Sequence, residues 1–133
     1  MTNYLKMGAE TLQERMEAYG GVQVMYRRVS SKLSNFSFNI VAVPGRNPVD
    51  VVNSEGVVLR SQIQDFVVSI AKMQSKMSAD PKTPVRGDEI VMKVGRHNVV
   101  FIVTADDFAT SHYEPADSYG VAWRIHSKAD RLA

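Results

Sequence analysis

Gly20-Gly21-Val22-Gln23-Val24-Met25-Tyr26-Arg27-Arg28 is the stretch on which the fold turns. Before the two glycines, Leu5, Ala9, Leu12, Met16 and Tyr19 are spaced 4, 3, 4 and 3, which makes one apolar stripe. That spacing predicts a helix over 2–19, with Thr2 or Asn3 as its cap and Gly20-Gly21 as its stop. Gly8 lies inside it, at a cost of about 1 kcal/mol relative to Ala. A single short helix is marginal alone, so its stripe must dock on this domain or on a partner. After Gly21 the period becomes two: Val22, Val24 and Tyr26 alternate with Gln23, Met25 and Arg27. This is the pattern of a half-buried strand, with Tyr26 and Arg28 on one face and Arg27 on the other.

The same period recurs downstream. Phe36, Phe38, Ile40 and Ala42 alternate with Ser37, Asn39 and Val41. Pro44-Gly45-Arg46-Asn47-Pro48 then breaks the chain. Val49 to Val58 is rich in Val but interrupted by Asn53-Ser54-Glu55-Gly56, as in a hairpin arm or an extended loop. Ile63 to Ile70 reads as a strand, and 71–86 as a loop or short helical turn. Ile90, Met92 and Val94 begin a strand that turns at Gly95-Arg96-His97-Asn98 into Val99–Thr104. Residues 105–120 are polar and irregular, Val121–Ser127 makes a last short strand, and 129–133 is a polar tail. About six or seven strands behind one helix predict a mainly β chain, a small barrel or sandwich filling a single domain over 1–133, with its body at 21–128. The loops at 44–56, 71–86 and 105–120 are long for such a body, and long loops are uncommon unless they serve a purpose.

Composition agrees and excludes. Nineteen of the 133 residues are Val, whose stiff side chain suits a pleated surface. The absence of cysteine removes disulfide scaffolds, Cys-ligated zinc, iron–sulfur clusters and thiol catalysis. A formal charge of +2, from 16 basic and 14 acidic side chains, is not that of a nucleic-acid clamp. No apolar run reaches the roughly 18 residues of a membrane span, and no secretory signal is expected at the N-terminus.

Residues that could carry chemistry are sparse. His112 with Glu114, near Asp106 and Asp107, is the nearest approach to a metal-ligand pair, but a lone pair in a loop is a weak signal and a solvated acidic loop is the better reading. His97 falls in a turn, and His126 is expected at the surface or an interface. There is no G-x-S-x-G elbow, no phosphate-cradling glycine loop and no H-E-x-x-H. The pairs Asp88-Glu89 and Asp106-Asp107 point to opposite faces of an extended chain. No catalytic residue, metal or cofactor is therefore assigned. In Arg86-Gly87-Asp88, Gly87 allows a turn and Asp88 can cap it before the Ile90 strand. Tyr26 with Arg27 and Arg28, and Trp123 with Arg124, are the candidates for base stacking, against a reading in which the aromatics fill the core and the arginines face out.

Four short motifs, in this order, resemble the tailed-bacteriophage neck proteins known as head–tail joining, head-completion, head-closure or connector proteins. Val24-Met25-Tyr26-Arg27-Arg28 is similar to that family's V-x-Y-R-R strand. Gln64-Asp65-Phe66-Val67 is similar to R-D-F-L, and Pro84-Val85-Arg86-Gly87-Asp88-Glu89-Ile90 to P-x-R-G-D-x-I. Trp123-Arg124-Ile125-His126-Ser127-Lys128 contains the counterpart of R-I-H-T-K. Val29 stands where Gly is common, Gln64 for Arg and Ser127 for Thr. The likeness spans roughly residues 8–128.

The resemblance implies a β-barrel-like subunit without enzymatic activity. It implies a homo-oligomeric ring of roughly six or twelve copies in the virion neck, assembled in the host bacterial cytoplasm. Its partners would be a portal or adaptor protein on one side and a tail-terminator or tail protein on the other. Double-stranded DNA would pass through non-specifically, and no membrane is involved. Within that frame Pro44, Arg46, Asn47, Asn53, Ser54 and Glu55 are candidates for a channel-facing loop. Leu5, Leu12, Met16, Arg27, Arg28, His126 and Lys128 are candidates for inter-subunit or adaptor contacts. The alternatives are a tail-terminator or other ring-forming tail protein, and an oligonucleotide-binding barrel.

Overall fold

The helix ahead of the two glycines is present as α1 (Tyr4–Gly20) in a computed structural model of the protein, which describes residues 4–29, 32–45, 50–52, 58–60, 63–105 and 111–132. Gly21 follows it, its N–H bonded to the Glu17 carbonyl at 3.1 Å. The alternating segment is β1 (Val22–Arg28), and β2 (Phe36–Pro44) folds back on it in the register Val24↔Ile40 and Tyr26↔Phe38. A short hairpin follows, β3 (Asp50–Val52) with β4 (Val58–Arg60), then β5 (Ile63–Ser69).

The apolar run that begins at Ile63 changes conformation at Ser69. Its hydroxyl accepts from the Lys72 N–H at 3.4 Å and caps α2 (Ile70–Lys76), so the helical turn expected after residue 70 starts one residue earlier. β6 (Glu89–Val94) and β7 (His97–Val103) pair through Val94↔His97, which leaves only Gly95-Arg96 in the turn. Gly95 supplies the positive φ, +61°, that a two-residue hairpin turn of this kind needs. The irregular 105–120 region contains β8 (Tyr113–Pro115).

The last strand, β9 (Ala122–Leu132), is longer than its apolar pattern suggests, and the expected polar tail is part of it. Pairing explains this. Phe101↔Ala129, Val100↔Arg131 and Val99↔Leu132 give the tail backbone a ladder regardless of side-chain polarity, with a bulge between Val100 and Phe101.

Six strands close antiparallel in the order β1-β2-β5-β9-β7-β6 and back to β1, with β8 added beside β9. The closing seam is β5–β9, in register from Ser69↔Ala122 to Ile63↔Lys128. Inside lie Val24, Tyr26, Ile40, Phe66, Val68, Ile90, Phe101, Val103, Trp123 and Ile125, with Met73 of α2 and Met77 beside them. Phe66 meets Phe101 edge-on at 5.5 Å. Each fully buried side chain of this size contributes about 1.5–3 kcal/mol of transfer free energy. Among the described residues, no helix is long and apolar enough to cross a membrane.

Candidate functional site

The first cluster lies inside the barrel. Alternation turns Tyr26 and Arg28 inward, and Arg28 has no exposed surface. Its Nε donates to Asp88 Oδ1 and its NH2 to Asp88 Oδ2, both at 3.0 Å. NH1 and NH2 also donate to the carbonyls of Pro81 and Thr83, at 2.8 and 2.9 Å. The guanidinium carbon sits 4.6 Å from the Phe36 ring centroid. The Tyr26 hydroxyl and the Val85 N–H donate to the same carboxylate. Asp88 thus caps the turn as expected, with Gly87 at φ +93°, and also ties that turn to β1. Burial, and then the Asp88 charge, raise the Tyr26 pKa far above the phenol range. For Arg28, burial opposes the cation, but its bonds to Asp88 outweigh that and raise its pKa.

A second cluster faces outward. Glu89 accepts from Arg27 Nε at 2.6 Å and from Arg131 NH2 at 2.8 Å. Burial pushes the Glu89 carboxyl up, and the two arginines more than offset this, so its pKa lies below the usual value. On the same wall, strand alternation places Met25, Val91, Lys93 and Ile102 outward.

A third cluster crosses the closing seam. Asp65 and His126 are register partners, and His126 Nδ1 donates to Asp65 Oδ1 at 2.9 Å. His126 Nε2 lies 3.3 Å from Glu114 Oε1 on β8, and Arg124 lies 3.6 Å from Asp65 Oδ2. Next to it, Asp117 accepts from the N–H groups of Tyr119, Val121 and Ala122, at 2.6, 3.2 and 2.9 Å. Burial raises the Asp117 pKa less than these N–H groups lower it.

α1 lies over this seam with its polar side inward. Gln13 is buried and Ala9 and Glu17 are half-buried, and Lys72 of α2 reaches Glu17 Oε2 at 2.6 Å. Apart from Ala9, the apolar stripe stays largely outside: Leu5, Leu12 and Tyr19 are 68%, 59% and 92% exposed. Between α1 and the barrel runs a groove lined by Leu12, Met16, Val67 and Arg124, with Glu114 and Asp117 at its sides.

Among the contact candidates, Leu5, Leu12 and Met16 share this outer face, Lys128 is exposed, and Arg27 is part-exposed on the opposite wall. Arg28 and His126 are corrections. Both are buried in the folded chain, because Asp88 and Asp65 hold them, so Arg28 does not face out and, of the two places expected for His126, the surface does not hold. Of the loop candidates, Pro44 ends β2 half-buried. Arg46, Asn47, Asn53, Ser54 and Glu55 lie outside the described residues, as do Asp106 and Asp107. The His112 ring bonds the Pro84 carbonyl at 2.8 Å. Sequence reasoning missed Asp65, although a carboxylate between Ile63 and Val67 on one face of a strand is a signal that a partner is waiting.

The three clusters commit their charged groups to holding turns and strands together. No curated protein matches the chain. A family model described as phage head-tail joining protein matches residues 2–131, almost the whole length, and the chain belongs to the phage head-tail joining protein family.

Proposed function

We propose that this chain is a structural protein of the phage neck that forms a ring between the DNA-filled head and the tail and continues the DNA channel. The family's structural role in joining head to tail is the base of this reading. The exposed stripe of Leu5, Leu12 and Met16 carries it further. Barrel closure pairs both edges of its six strands, so assembly falls to the outer faces of the helix and the barrel wall and to the loops. Apolar side chains left this exposed along one helix are surface kept for a neighbour.

The segment from Pro44 to Gly56, which includes β3, is the channel loop in this reading. Its length and its two prolines support that assignment. Electron microscopy of particles containing the protein is the test. A ring at the head–tail junction is expected. Density at the tail tip or along the tube, or none at the junction, would overturn the proposal.

A further inference from the structure

The groove beside α1 and the wall carrying Glu89 stand on opposite sides of the barrel. In the circuit β1-β2-β5-β9-β7-β6, β5 and β6 are as far apart as six strands allow. The groove runs over β5, through Val67, and the wall is centred on β6, through Val91.

The two faces differ in charge. Among the described residues, Glu114 and Asp117 line the groove against Arg124, with the buried Asp65 beneath them held by Arg124 and His126. On the wall, among the described residues, Arg27, Lys93 and Arg131 outnumber Glu89 and Asp130. Each face is also apolar at its centre: Leu12 and Met16 in the groove, Met25, Val91 and Ile102 on the wall.

The geometry points to a head-to-tail contact between two copies of this chain, in which the acidic groove of one receives the basic β1–β6–β7 wall of the next. The inference rests on the ring reading and names the two surfaces that close it. A ring needs two different patches on one subunit, set so that each copy hands on the same rotation. Patches on opposite walls of a barrel meet that need, and opposite charge fixes which face meets which.

Because the chain has no cysteine, engineered thiols report this contact without background. Met16→Cys and Met25→Cys sit at positions 37% and 39% exposed, so neither disturbs the core. Particles carrying both substitutions, treated with a short bis-maleimide, should lose most of the monomer band to a covalent ladder. Either substitution alone should leave monomer. The pair Glu114→Cys with Lys93→Cys repeats the test at the polar rim, should the first pair reduce incorporation. Dimers from one single variant would mean a like-with-like contact and overturn the inference. So would the absence of cross-links from both pairs in particles whose ring is visible. If no ring is visible, it is the neck proposal that has failed.

Discussion

Arg28 on β1 and Asp88 before β6 meet through two hydrogen bonds of 3.0 Å, and solvent reaches neither side chain. The pair holds the Pro81–Gly87 segment against the barrel. Asp88→Ala would leave a buried guanidinium without its carboxylate, which costs about 3–5 kcal/mol. That is a large share of the roughly 5–15 kcal/mol by which a domain is stable. Arg28→Lys should fail to restore stability, since an ammonium cannot span both oxygens and two carbonyls. Urea unfolding measures both; a loss below about 1 kcal/mol for Asp88→Ala would show that the pair is not structural.

Acid should weaken the fold in a defined window. Glu89 and Asp117 have folded pKa values below their ordinary 4.5 and 3.8. A carboxyl with a depressed folded pKa stabilises fully above its unfolded value, and that stability is lost as pH falls through the folded one. The melting temperature should therefore stay nearly level down to about pH 5 and drop below it. Glu89→Gln should lower stability at neutral pH and make the acid decline shallower. An unchanged slope would remove Glu89 from the account.

Two glycines near the helix should respond in opposite directions. A Cβ on Gly21 would overlap the Glu17 carbonyl and come within 2.6 Å of Val41 Cγ1. Gly21→Ala should cost about 1–3 kcal/mol, as overpacking does. A Cβ on Gly8 meets nothing within 4 Å, so Gly8→Ala should stabilise by up to about 1 kcal/mol through helix propensity. Thermal melts of the two variants check the contrast.

Leu12→Asp should separate folding from assembly. With the side chain 59% exposed, the soluble chain should keep its stability within about 0.5 kcal/mol. Attachment to heads should be abolished. Loss of the fold itself would mean that the stripe is core.

Shortening the β3–β4 connection by removing Asn53–Gly56 should release DNA from filled heads while the ring still assembles. Nuclease sensitivity of the packaged DNA is the readout. Full retention would take that loop out of the channel.

Much of the barrel was legible from the sequence because alternation is local. Val22 to Tyr26 and Phe36 to Ala42 announced their strands, and the stripe from Leu5 to Tyr19 announced its helix. Spacing could not say which side of α1 turns inward, because it marks the apolar side and the helix docks on Gln13, beside Glu17 and Ala9. Alternation did put Arg28 on the Tyr26 face. It could not show that a charge survives there, because the partner, Asp88, lies 60 residues on. His126 was misplaced for the same reason, with Asp65 61 residues earlier. The strand through the polar tail was illegible because a ladder to β7 built it, not hydropathy.

The seam between β5 and β9 also sets an order of events during synthesis. β5 is complete at Ser69, yet its partner starts only at Ala122. While the intervening chain emerges from the ribosome, β5 and β7 each carry an unsatisfied edge, and the long sequence separation makes their closure slow. A chain interrupted before Ala122 has no way to hide those edges and is a substrate for aggregation and proteolysis. Only a finished chain acquires the sealed wall on which α1 rests.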